Sequence, residues 1–235
     1  MAKKFKFLFD SPVAGFFSII CAAVFLVDFF VSSELVASFF TCPGKEKFLT
    51  LAAFDFKSPL DYVKIFSHVF GSRQIEILFI NLAFVLCLGS SGEEKYGSVI
   101  LVLMIAVSAL VSGVLTSCLS PYALTGCGSV VFLFVFLNSI TSFMKKNIPF
   151  SSVLIFVLYF SISLFESFKL TNEWKCIVSV FIDMAGGLSA SLFAFLVASK
   201  KRSPSSAKTI VQEDTVVSSK NQSSSDETVI GNLKF

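Results

Sequence analysis

Six apolar runs fall within 235 residues: Val13–Ser32, Ile75–Ser90, Val99–Leu119, Ser129–Phe143, Val153–Phe165 and Ile177–Val197. About 20 apolar residues cross a bilayer core as a helix. Several runs are shorter than that, which leaves their ends open by a few residues. Within lipid the backbone must satisfy its own hydrogen bonds, so segments of this kind form helices. The chain is therefore expected to be an all-α polytopic membrane protein with six spans. Composition agrees, because 54% of residues are hydrophobic and only 15% are charged. Mean hydropathy is +0.81, and a soluble domain of this size cannot bury so much apolar surface. A net charge of +3 is too small to point to nucleic acid. The 30 Phe residues are read as lipid-facing and packing bulk.

Charge placement sets the expected topology. Lys3, Lys4 and Lys6 precede the first run, Lys145 and Lys146 follow the fourth, and Lys200, Lys201 and Arg202 follow the sixth. With six spans these clusters share one side, the cytoplasm, and both termini lie there. The expected home is a cell (inner) membrane. The divisions are a cytoplasmic N-terminus (1–12), a membrane domain (13–197) with an external segment (33–73), and a disordered cytoplasmic tail (198–235) too polar to build a core. The external segment carries Lys45, Lys47, Lys57, Lys64 and Arg73, so the positive-inside rule is obeyed only in part. Within it, Leu49–Phe56 and Leu60–Val69 have roughly helical spacing and are expected to lie in the interface as short amphipathic helices. Asp28, near the outer end of the first span, can reach that interface.

The six cysteines are Cys21, Cys42, Cys87, Cys118, Cys127 and Cys176. No pair has metal-ligand spacing, and no metal or cofactor is expected. A disulfide from Cys42 to Cys118 or Cys176 stays open. The single histidine is His68.

The segment Ala123–Phe132 reads Ala-Leu-Thr-Gly-Cys-Gly-Ser-Val-Val-Phe. It resembles the nucleophile segment of rhomboid intramembrane serine proteases, Gly-x-Ser-Gly followed by apolar residues. Gly126 and Cys127 match the first two positions. Gly128 stands where the serine belongs, and Ser129 where the second glycine belongs. Four further stretches resemble rhomboid motifs in the same order. Ile65–Phe70 is similar to the exit from the first external loop, with a Ser-His step. Glu76–Asn81 is similar to the second-span His-x-x-x-Asn. Leu88–Gly89 with Glu93–Ser98 is similar to the cytoplasmic turn with Glu-x-x-x-Gly. Asp183–Gly187 is similar to the sixth-span motif, in which His precedes a glycine pair. Together they cover about residues 65 to 195, and a series is far more specific than any one motif.

The resemblance implies a fold and a loss. Glu93, Gly97, Gly126 and Gly186 fall on scaffold positions. The nucleophile position is Gly128, the base position Asp183, and the oxyanion positions are Ile77 and Asn81. Only Asn81 keeps its family residue. Serine hydrolysis needs a hydroxyl and a base within hydrogen-bond reach. Gly128 has no side chain, and a carboxylate is too weak a base for a serine hydroxyl. His68 matches a position outside the dyad and is expected to be structural. Ser129, one residue and about 100° around the helix from the nucleophile position, and Cys127 are the other nucleophile candidates. Asp183 either ties span six to span four, through Ser129 or a backbone group, or serves as a ligand or proton site.

Gly186, Gly187, Ala190, Ser191 and Ala194 form a small-residue surface, expected to bring span six against span four. Spans two and five carry few small residues and are expected to pack loosely and part readily. The reading that follows is a rhomboid-like pseudoprotease that binds transmembrane helices or membrane-protein clients. The alternatives are an active rhomboid-type endopeptidase with an unrecognised nucleophile and a small-solute transporter. The transporter lacks a repeat signal or paired broken helices.

Overall fold

In the computed structural model, residues 11–31, 35–45, 53–144, 150–171 and 177–201 are described. Among them the chain is helical: α1 (Pro12–Phe30), α2 (Leu35–Phe39), α3 (Pro59–Ser67), a 3₁₀ turn (His68–Phe70), α4 (Ile75–Tyr96), α5 (Ser98–Leu119), α6 (Gly128–Met144), α7 (Phe150–Thr171) and α8 (Ile177–Lys201). Five of these are long and apolar enough to cross a membrane, namely α1, α4, α5, α7 and α8. The protein is thus a polytopic helical membrane bundle. α6 is shorter, with 17 residues, about 26 Å at 1.5 Å per residue. The chain divides into two units, Met1–Ala194 and Phe195–Phe235. The first carries the bundle, and in the second the described residues Phe195–Lys201 are helical.

α6 is the axis of the first unit. Val130, Val131, Phe132 and Leu133 are fully buried, and Phe134 and Val135 nearly so. A helix enclosed by protein need not match the bilayer thickness by itself, which accounts for its length. The outer helices instead turn large apolar side chains outward, as a lipid environment favours: Phe29 and Phe30 on α1, Phe79 on α4, Phe165 on α7.

Close backbone approach holds the bundle together. A Cβ at Gly187 of α8 would lie 2.5 Å from the backbone N of Leu133, and one at Gly186 would lie 3.0 Å from the Ser108 carbonyl and 3.3 Å from the Ser129 Cβ. The small-residue surface therefore meets α6 as expected, and α5 as well. α4 corrects its expectation. Gly89 has the Ala14 Cβ of α1 within 2.7 Å of a Cβ placed on it, and Gly92 has Leu137 of α6 at 3.3 Å. Two glycines suffice to seat this half of α4 tightly against α1 and α6.

Helix limits also differ from the apolar runs. α4 continues past Ser90 to Tyr96, so Glu93–Tyr96, expected in a turn, is its last helical turn. The α4–α5 link is Gly97 alone, at φ +83°, a region that favours glycine. Glu93 is buried there. Its carboxylate accepts from the Val13 N–H (3.0 and 3.2 Å) and from the Ser98 hydroxyl (2.6 Å). A carboxylate at two helix starts complements their dipoles and their unpaired N–H groups, so one residue pins α1, α4 and α5.

Leu60–Val69 folds as expected into α3 and the 3₁₀ turn. Leu49–Phe56 does not form a helix over its described part, where Ala53–Phe56 is irregular. The segment before α4 folds back onto the bundle. Cys42 and Leu124 exchange backbone hydrogen bonds (2.8 and 2.9 Å), and a Cβ at Gly113 of α5 would meet the Ile65 carbonyl at 2.7 Å. Asp28 accepts the Val36 N–H at 2.8 Å and so caps α2. Lys3, Lys4, Lys6, Leu49, Lys145, Lys146, Cys176 and the tail from Arg202 lie outside the described residues.

Candidate functional site

The α5–α6 connection positions the site. Gly126 takes φ +126°, and its N–H donates to the His68 carbonyl at 3.0 Å. No atom lies within 4 Å of a Cβ placed there, so glycine is required for its backbone angle, not for space. The turn brings Gly128 to the first position of α6, where N–H groups have no partner within the helix. Val130 and Val131 donate to the Cys127 carbonyl, each at 3.0 Å. The carboxylate of Asp183 on α8 approaches this helix start from another helix.

Gly128 and Asp183 are in contact. A Cβ at Gly128 would lie 2.6 Å from Oδ2 of Asp183 and 3.1 Å from its Cγ. The carboxylate occupies the space that a side chain at 128 needs. Of the two expectations for Asp183, the approach of α8 to α6 is present at this contact. The other oxygen of Asp183, Oδ1, is buried without a hydrogen-bond partner; among the described residues only Ser108 Oγ shares that condition. A buried, unpaired carboxylate oxygen costs free energy on the order of 1–3 kcal/mol.

Beside this contact lies a cavity of about 190 Å³. All four positions carried over from the rhomboid resemblance line it: Ile77 and Asn81 from α4, Gly128 from α6, and Asp183 from α8. Gly126 lines it too, whereas Glu93, Gly97 and Gly186 belong to the scaffold. The remaining wall was not anticipated. α7 contributes Tyr159, Ser163, Glu166 and Ser167, spaced i, i+4, i+7, i+8 and hence on one helix face. Tyr122 and Thr125 come from the α5–α6 connection, and Ser179 from α8.

The floor is closed. The Tyr159 hydroxyl donates to Asn81 Oδ1 at 2.9 Å, and its ring packs on Phe84 and Phe132 with centroids 5.1 and 4.9 Å apart. Phe156 joins the same aromatic layer against Phe132 and Phe136. At the rim Arg73 donates to Thr41 Oγ1 at 3.4 Å. Burial lowers its pKa, and the nearby Asp28 opposes that shift.

Neither alternative nucleophile lines the cavity. Ser129 is fully buried and faces Ser112 of α5, oxygen to oxygen 3.3 Å. The Cys127 thiol is buried in the core. His68 is structural, as expected. It is fully buried, with Nδ1 2.8 Å from the Ile65 carbonyl and Nε2 3.2 Å from Ser112 Oγ. A carbonyl only accepts, so Nδ1 carries the proton. Burial pushes the imidazole down to about 4, which leaves Nε2 as an acceptor at neutral pH. His68, Ser112 and Ser129 are thus linked by hydrogen bonds in a dry layer behind Gly128, and Gly128 itself faces Asp183. Cys42 and Cys118 are both free thiols, the first buried and the second exposed. The Cys42 thiol is 3.6 Å from the Ser117 hydroxyl, and burial raises its pKa to about 11.

The sequence matches no family model, and no curated protein matches it.

Proposed function

We propose that this protein is a catalytically silent rhomboid-like membrane protein, with six spans once α6 is counted, that binds transmembrane helices of other proteins without cutting them. The observation that carries the reading is the contact between Gly128 and Asp183. It joins the two positions that a rhomboid protease would fill with its nucleophile and base, and it fills the reaction space with a carboxylate. Asn81 and Ile77 beside them support the same assignment. Binding is supported by the cavity, which outlives the lost chemistry. Its closed aromatic floor favours a pocket over a passage for solutes. The half-buried Ile77, Ser163 and Glu166 leave its flank between α4 and α7 unsealed. The bilayer is the medium from which a client helix arrives, and the flanking lysine clusters favour cytoplasmic termini in a cell (inner) membrane.

Photo-crosslinking in native membranes tests the reading. Ile77 on α4 and Ser163 on α7 line the cavity and are half-buried, whereas Leu103 on α5 and Ile20 on α1 are exposed elsewhere. Crosslinkers at the first two positions are expected to capture membrane-protein helices well above the other two. Equal capture at all four would mean general contact in the lipid plane and would remove the support for client binding.

A further inference from the structure

The cavity has two carboxyl groups in its wall, Asp183 and Glu166. α8 begins at Ile177 and α4 at Ile75, so Asp183 and Asn81, each six residues in, lie about 9 Å along their helices. Glu166 lies five residues before the end of α7 at Thr171, about 8 Å by the same rise. Two carboxyl groups and an amide therefore share a shelf one to two turns inside the bundle end. The one arginine of the lining stands at the rim and donates to Thr41. On the shelf, Asp183 Oδ1 is buried with no donor facing it.

The geometry points to a site for a basic side chain: we propose that the cavity takes the ammonium or guanidinium group of a Lys or Arg carried within a client helix, held by Asp183 and Glu166. The inference rests on the client-binding reading and names the clients. A basic residue this far inside a hydrophobic segment is costly in lipid. It gains charge-assisted hydrogen bonds here and supplies the donor that Oδ1 lacks. The polar face of α7, with Tyr159, Ser163 and Ser167, gives the remaining N–H groups places to donate.

The test uses the full-length protein in phosphatidylcholine vesicles with a photo-crosslinker at Ile77, which lines the cavity. Three synthetic leucine–alanine helices differ only at a position about six residues from one end, which carries Leu, Lys or Glu. The Lys helix is expected to be captured about tenfold more than the Leu helix, the yield of one good charge-assisted hydrogen bond, and the Glu helix less than either. In the Asp183→Asn, Glu166→Gln variant the Lys preference should vanish while Leu-helix capture persists. Asparagine and glutamine match the shapes of the residues they replace, and unchanged thermal unfolding confirms the fold. Equal capture of the Lys and Leu helices overturns the basic-residue site and leaves client binding standing. Capture of none of the helices overturns both. A Lys preference that survives the double variant overturns the roles of Asp183 and Glu166.

Discussion

Adding one methyl group at Gly128 probes the site most sharply. In Gly128→Ala the new Cβ lies 2.6 Å from Asp183 Oδ2 and 3.1 Å from Cγ, well inside van der Waals contact. Gly128 does not have a positive φ, so alanine suits its backbone and the clash is the whole cost. Overpacking of this kind costs about 1–3 kcal/mol, and each kcal/mol lowers Tm by about 2–4 °C for a chain of this size. In an Asp183→Ala background the obstructing carboxylate is gone. The same methyl should then cost nearly nothing, or gain up to about 1 kcal/mol from helix propensity. The double-mutant cycle, read by circular dichroism during thermal unfolding in detergent, should return a coupling of about 1–3 kcal/mol. Equal costs of Gly128→Ala in the two backgrounds would refute the contact between Gly128 and Asp183.

Gly187→Ala should destabilise more than Gly128→Ala, because its Cβ would meet the backbone of Leu133 at 2.5 Å and backbone cannot rotate away; a Tm loss no larger than that of Gly128→Ala would count against the α6–α8 seat. Glu93→Ala leaves the Val13 N–H and Ser98 hydroxyl without their acceptor and should cost on the order of 2–4 kcal/mol, measured as a Tm loss that Glu93→Gln only partly restores. His68 titrates near 4 when folded against about 6.5 unfolded. Above pH 6.5 both states are neutral. As pH falls from 6.5 to 4 the unfolded state binds the proton first, so stability drops by on the order of 3 kcal/mol and then levels off. His68→Asn should remove that increment from the pH profile of Tm, and an unchanged profile would contradict the burial of His68. The protein should also fail to react with fluorophosphonates, and labelling abolished by Ser129→Ala would place the nucleophile one residue along.

The sequence reading located the site better than it drew its walls. Gly128, Asp183, Ile77 and Asn81 were legible because motif order along the chain fixes which helices can meet, and small residues such as Gly186 and Gly187 mark where they approach. Glu93 was legible as scaffold, although its partner Val13 was not, since nothing local links residues 80 apart. The α7 wall was missed for a physical reason. An apolar run ends at the first charge, so the fifth run stopped at Phe165, one residue before Glu166. The hydrogen-bonded helix continues to Thr171, because a polar side chain facing a protein cavity does not break a helix. The stripe Tyr159, Ser163, Glu166, Ser167 was there to be read as a helical face. The same bias shortened the second run at Ser90. The tight seat of α4 was missed because two well-placed glycines outweigh a count of bulky neighbours.

The central claim is that this bundle holds a helix and leaves it intact. Its most direct test is intact-mass spectrometry of a lysine-bearing transmembrane peptide after prolonged incubation with the purified, reconstituted protein carrying a crosslinker at Ile77. The account predicts an adduct whose mass is the sum of protein and full-length peptide, with no shortened peptide in the unbound pool. Peptide fragments that accumulate with time and disappear in a Gly128→Ala or Ser129→Ala variant would contradict it.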